Sequence, residues 1–455
     1  MKGRNICEYK DCSGLFFNEE MKTIYTLSLL LLIMLSGISC SDSSDNREVP
    51  EPEVPEPEVP GTDAAYQVAQ MNIATENEAP IVSKDKKDYV NCTVTISSTK
   101  EAWNYAGTAR IRGRGNSTWL WYPKKPYRIK LDKKSEILGL ATEKDWVLLA
   151  NYRDPTHVMN TFAFVAGAEL GLPYTNHSRY VEVTLNGSYI GLYQLTEQVE
   201  QGESRVAVDA MQGMLISLDA DDGPALNPEG GDNFWSAVYQ MPICVKSPED
   251  ATTEQLKLVQ DDLALLEQSI RDADYDRTAQ LLDIASFIDY MLLQELVYNV
   301  EVDAPRSIYM HKDKRGRWIM GPLWDFDGGF DFDWSTMYTG HNFFTSYKEL
   351  VLGTDPANHI GGYRVPSFFT DLFKNKRFVT EYKKRWKEVK EKVMADFWRE
   401  TNLYIENVSG AMERNAKRWP IDKNYRTEIN RMKQWLQQRA DYIDTVVANY
   451  PSGTK

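Results

Sequence analysis

Trp324-Asp325-Phe326-Asp327-Gly328-Gly329-Phe330-Asp331-Phe332-Asp333 carries the densest chemistry in the chain. Four carboxylates and two adjacent glycines fall within ten residues, interleaved with aromatics. If the segment leaves a strand extended, Asp325 and Asp327 point to the same side, because side chains alternate along extended backbone. Two converging carboxylates repel unless a cation lies between them. The glycines permit a sharp turn beside such an ion. A magnesium ion shared with nucleotide phosphates is one reading, a structural calcium ion a second, and a solvated acidic turn a third. The spacing does not match an EF-hand loop.

The residues leading into this stretch read as a hairpin, Ser307 to Lys312, a turn through Lys314-Arg315-Gly316, then Arg317 to Met320. Before it, apolar spacing predicts a helix from Thr278 to Asn299, with Leu281, Ile284, Ile288, Leu292 and Leu296 on one stripe. Asp303 follows that helix, 22 residues before Asp325. Helix, aspartate loop, hairpin and metal aspartate is the order used by phosphoryl-transfer kinases. There the first aspartate accepts the hydroxyl proton and the later one binds magnesium. For Asp303 alone, an aspartate capping a turn is the plainer reading.

Further out, Thr252 to Arg271 and most of 367–449 read as helix. The first half is different. Short strands are expected within 65–100 (clearest at Val90 to Ser97), at Thr108 to Arg114, at Pro126 to Leu131 and at Asp145 to Ala150. A helix from Pro155 to Leu170 is stopped by Gly171 and Pro173. Arg179 to Leu185 and Tyr189 to Thr196 flank Asn186-Gly187, a strong hairpin signal. The expected class is therefore α+β, with two lobes and a cleft between them. The divisions are a short β segment at 64–104, a β-rich lobe with one helix at 105–250, and a helical lobe at 251–455. Arg110, Arg112, Arg114, Lys124, Lys125, Arg128 and Lys130 form a basic strip. Beside the turn at Gly113 and Gly115 it could hold phosphate oxygens, or be a solvated strand face.

Together these segments resemble the spore coat protein H (CotH) kinase-like family. The resemblance is carried by Arg114-Gly115-Asn116-Ser117-Thr118-Trp119, by Lys124-Lys125-Pro126-Tyr127-Arg128-Ile129-Lys130-Leu131, and by Asn151-Tyr152 with Asp154. It continues through Leu185-Asn186-Gly187, Tyr189, Gly191-Leu192-Tyr193, Leu195 and Glu197 to Trp324-Asp325-Phe326-Asp327. The pieces keep the family's order across about residues 105–335. The resemblance implies an atypical protein-kinase-like two-lobed fold, a β-rich N-terminal lobe before a helical C-terminal lobe. It implies ATP as co-substrate, magnesium as cofactor and a protein hydroxyl as acceptor. It places Lys130 or Arg128 on the nucleotide-facing strand, with Arg114 also at the nucleotide, and the 155–170 helix in the regulatory position. Glu197 falls near the hinge, Asp303 at the catalytic aspartate, and Asp325, with Asp327 as second ligand, at the metal. One departure stands out: Ala304-Pro305-Arg306-Ser307-Ile308 lacks the asparagine that a kinase catalytic loop supplies after its aspartate.

The N-terminal region reads as an address and a tether. A basic start at Met21-Lys22, an apolar run from Leu27 to Leu35 and Ser36-Gly37-Ile38-Ser39-Cys40 resemble a bacterial lipoprotein signal. Cys40 is then the lipid-attachment site, and residues 1–20 an over-called start. The acidic residues after Cys40 resemble the export signals of Bacteroidetes-type surface lipoproteins. An ordinary signal peptide with a chance cysteine is the alternative. Residues 41–63, with one arginine, eight acids and a Pro/Glu repeat, read as an extended spacer. The expected location is outside the cytoplasm, lipid-anchored at the outer membrane or cell surface.

The 455 residues carry a formal charge of −14, half of it in the 41–63 spacer. That balance argues against a broad nucleic-acid surface. Cys92 and Cys244, the two cysteines after Cys40, could form one disulfide or stay as buried thiols. Two functions compete: a secreted magnesium-dependent kinase, and a catalytically weak or inactive kinase-like surface protein binding a glycan or protein partner. Trp386, Trp398, Trp419 and Trp435 could serve the second, although their helix-compatible spacing reads mostly as core.

Overall fold

Alternation of apolar and polar residues builds the first half of the chain. In the computed structural model, which describes residues 66–224, 232–302, 305–331, 346–358, 366–421 and 423–455, seven strands close into a barrel. They are β1 (Ala69–Thr75), β2 (Val90–Ser97), β3 (Tyr105–Gly113), β4 (Tyr127–Ile137), β5 (Leu140–Leu149), β6 (Ser178–Leu185) and β7 (Ser188–Glu197). Met71 and Ile73 of β1, Cys92, Val94 and Ile96 of β2, and Tyr127, Ile129 and Leu131 of β4 are buried. Closure comes from the parallel pairing of β1 with β6, Met71 opposite Val183. β1 and β2, within the expected 64–104 segment, are thus two of the barrel's staves. A closed barrel leaves no exposed sheet edge. The Asn186-Gly187 turn joins β6 to β7, both residues at positive φ.

Two helices interrupt the barrel strands, α1 (Ser117–Trp121) and α2 (Met159–Leu170). Asp154 fixes the loop before α2: its carboxylate accepts from Thr156 N at 2.7 Å and from Met159 N, the first residue of the helix, at 2.8 Å. Gly171 ends it in the left-handed region at φ 77°, where a Cβ would be disfavoured. Both faces of α2 are buried.

A second, five-stranded sheet follows, in the order β12-β11-β8-β10-β9. It comprises β8 (Met214–Leu218), β9 (Asn233–Trp235), β10 (Pro242–Ser247), β11 (Ile308–Lys312) and β12 (Ile319–Met320). β11 pairs with β8, so this sheet joins segments on both sides of the expected division at residue 250. The remaining helices are α3 (Thr253–Arg271), α4 (Tyr275–Leu281), α5 (Ile284–Leu296), α6 (Ser367–Thr370), α7 (Lys376–Lys392), α8 (Arg399–Arg418) and α9 (Tyr425–Ala448).

The expected 278–299 helix is broken into α4 and α5. Asp283 N donates to Trp318 O at 2.8 Å, and its side chain accepts from Ser286 N at 2.9 Å. A capping side chain at that point starts a new helix instead of continuing the old one. Glu295 of α5 is fully buried against Arg439 of α9, with Oε1 and Nη2 2.9 Å apart. Trp386, Trp398 and Trp435 are buried in the core. Cys92 and Cys244 are free, buried thiols, so no disulfide joins them.

Candidate functional site

The loop after β12 divides its residues by chemistry. Phe326 and Phe330 are fully buried, and Phe330 packs edge-on against Phe162 of α2 at 5.9 Å. Asp325 and Asp327 line a cleft of about 860 Å³. The interleaved aromatics anchor the loop, and the carboxylates are what it presents. Asp325 is not extended, however; its φ is 65°. Aspartate tolerates this region better than most residues, and the turn, not strand alternation, aims both carboxylates into the cleft. Asp331 leaves the group and accepts from Ser346 N at 2.7 Å.

α2 holds this loop from behind. Asn160 Oδ1 accepts from Phe326 N at 2.9 Å, and Phe164 stacks on Trp324 at 6.5 Å. Arg153, just before α2, donates from Nη2 to Asp327 O at 3.3 Å, and its Nη1 lies 3.8 Å from Asp327 Oδ1. Within the motif that begins at Asn151, Asp154 binds the N–H of the first residue of α2 and Arg153 is the residue that reaches the cleft. That division of labour is invisible in the sequence, where Arg153 looks like a spacer.

Glu301, on the 3₁₀ turn Val300–Val302, is a further cleft carboxylate that the sequence reading did not single out. Arg306 Nη1 lies 3.6 Å from its Oε2, and Arg306 Nε lies 3.1 Å from Asp221 Oδ1. Gly328 sits directly against it: a Cβ there would fall 2.8 Å from Glu301 Cγ and from Oε1. The paired glycines thus serve close approach between two loops. Burial raises the Glu301 carboxyl to about 7, against the pull of Arg306 and Arg153. Burial, then the charges of Asp327 and Glu301, push Asp325 well above the usual carboxylate range, and Arg114 opposes them. Ser307 Oγ donates to Asp325 Oδ2 at 3.4 Å.

The basic strip is dispersed. Arg112, Arg114 and Arg128 line the cleft. Arg114 lies over the Trp324 ring at 5.2 Å. Among the described residues no carboxylate oxygen comes within ion-pair distance of it. Arg128 is taken by Asp145 at 2.7 Å and Glu200 at 3.5 Å. Lys130 pairs with Asp145 at 3.2 Å and does not line the cleft. The register of β4 on β5 sets Lys130 opposite Asp145. Lys124 is buried, bonding Leu192 O and lying 4.6 Å from the Tyr193 ring centroid.

Glu197 is also outside the cleft lining. It is buried, and its Oε2 accepts from His177 N at 2.8 Å. Asp303 and Cys40 lie outside the described residues. The structure therefore brings Arg114, Arg128, Asp325 and Asp327 to one cleft and leaves Lys130 and Glu197 elsewhere. A family model described as CotH kinase protein matches residues 111–443, nearly three quarters of the chain. No curated protein matches it.

Proposed function

Because the chain belongs to the CotH kinase family, we propose that it is an atypical kinase transferring the γ-phosphoryl group of ATP to a protein hydroxyl, with magnesium. One observation carries this reading. Asp325 and Asp327 face the same cleft as Arg114, a cation without a carboxylate partner among the described residues. A nucleotide's phosphates need both a metal and a free cation. The barrel side would be the nucleotide lobe, and the helical side the acceptor lobe.

The donor set suits magnesium. Among the described residues no three His, Cys, Asp or Glu side chains form a ready metal cage. Magnesium is ordinarily held by one or two carboxylates, with phosphate oxygens and water completing the shell. Calcium takes typically about six to eight oxygens and is the poorer match for two carboxylates. Asp325 and Asp327 would hold the ion, which when bound neutralises charge on the phosphates. Arg114 would bind phosphate oxygens from the opposite wall. Asp303, next after Val302, would take the proton from the acceptor hydroxyl. Residues 304–308 lack the kinase asparagine, which favours, as a second reading, an inactive relative that binds a nucleotide, glycan or protein without turnover. The Cys40 signal supports export with a lipid anchor; mass spectrometry of the mature N-terminus tests it.

Purified protein incubated with labelled ATP, magnesium and candidate acceptors should transfer label, and Asp325→Ala should not. Nucleotide binding without transfer would favour the inactive reading. Absence of both binding by calorimetry and label transfer would sink the kinase reading.

A further inference from the structure

The connection between β1 and β2 reaches the same cleft, which Lys84, Asp85 and Lys86 help to line. It is fastened to the end of β3. Gly113 N donates to Ser83 O at 2.8 Å, and Arg112 Nη1 donates to Lys84 O at 2.6 Å. Lys86 Nζ lies 2.8 Å from Oε1 of Glu249, a cleft residue that follows β10. Both side chains of that pair are exposed, so it orients the loop and adds little stability.

Lys84 itself is placed by a neutral group. Its Nζ donates to Asn116 Oδ1 at 2.6 Å, and Asn116 stands two residues after Arg114. Among the described residues no carboxylate oxygen comes within ion-pair distance of Lys84, Arg112 or Arg114. Arg112 is buried and donates to two backbone carbonyls, and its Nε has no hydrogen-bond partner among the described residues. All three side chains line the cleft. Like charges gathered in this way repel, and an anion set among them relieves the repulsion. An ammonium carries three donors, so Lys84 can keep its bond to Asn116 and still donate to a phosphate oxygen.

We propose that Lys84 binds phosphate oxygens and, together with Arg114, fits the cleft to linked phosphates, the polyphosphate tail of its nucleotide. This rests on the kinase reading of the same cleft. It extends that reading to a residue outside 111–443, the part that the family model matches. In protein kinases a Gly-rich loop covers the phosphates. Residues 76–89, between β1 and β2, contain no glycine, and here a lysine side chain supplies the contact.

Calorimetric titration of the full chain compares magnesium-ATP, inorganic triphosphate and adenosine. Lys84→Met should weaken ATP and triphosphate binding by about tenfold or more, with adenosine binding and thermal unfolding unchanged. Lys84→Arg should restore most of the loss. Lys84→Gln, also uncharged, reads the same loss if the methionine variant fails to fold. Wild-type ATP affinity in both uncharged variants, alongside lost binding in Arg114→Ala, would overturn the role of Lys84 and leave the kinase reading standing. Adenosine binding that weakens in step with ATP would also overturn it, since the substitution would then distort the cleft rather than remove a charge. Triphosphate binding that depends on Lys84, in a chain that binds no ATP, would support Lys84 and sink the kinase reading.

Discussion

Replacing Arg114 with alanine should weaken ATP binding far more than replacing Lys130, although Lys130 is the residue that strand position and kinase resemblance favour. Lys130 already has a partner, Asp145 at 3.2 Å, and its side chain lies outside the cleft lining. A partly exposed pair of this kind contributes at most about 1 kcal/mol. Arg114 faces the cleft with the Trp324 ring against it and, among the described residues, no carboxylate oxygen within ion-pair distance. A hydrogen bond from such a cation to a phosphate oxygen is worth about 1.5–3 kcal/mol, which converts to roughly 10- to 150-fold in Kd. Calorimetric titration of magnesium-ATP into the two variants reads this directly. Arg114→Lys should recover part of the loss, since it restores charge without the planar fork. Arg128 is a poorer probe, because its removal strips buried Asp145 of its 2.7 Å partner and so perturbs the barrel as well. If Lys130→Ala loses tenfold or more while Arg114→Ala binds like wild type, the phosphates lie against β4 and the assignment is wrong.

Arg439→Met should destabilise the fold by about 3–5 kcal/mol, because it strands the fully buried Glu295 carboxylate and the carbonyls of Leu296 and Tyr347. Urea unfolding measures it, and adding Glu295→Gln should restore part of the loss rather than deepen it. Gly328→Ala should cost roughly 1–3 kcal/mol by overpacking and lower label transfer, since its Cβ meets Glu301 at 2.8 Å; an unchanged melting curve would refute the close fit. Burial lowers the Lys124 ammonium to about 7. A folded pKa below the unfolded value means that unfolding takes up a proton, so stability rises with pH from about 7 toward the unfolded lysine value. Lys124→Met should flatten that rise in denaturant titrations across pH 7 to 10, and an unaltered slope would show that Lys124 is not its source.

Features encoded within a few neighbouring residues were legible without coordinates. The Asn186-Gly187 turn, the inward Tyr127, Ile129 and Leu131, and the hairpin before Trp324 all follow from local backbone preference and side-chain alternation. So did the concentration of carboxylates and glycines at 325–329, which lines the cleft. What the sequence hid depends on partners far along the chain. The 278–299 stripe did not show the break at Asp283, where the local cap is joined by backbone bonds to Trp318, about thirty-five residues later.

By itself, then, the sequence determined an α+β chain with a kinase-like order of motifs and a paired-aspartate loop. Only the tertiary structure decided that β1 closes a barrel against β6, that Asp145 takes Lys130 and Arg128 while Arg114 stays available, and that Arg153 and Glu301 join the aspartates. The physical reason is common to all three. Turns and alternation are settled by local sterics, whereas a charge's role depends on which distant charge the fold sets beside it.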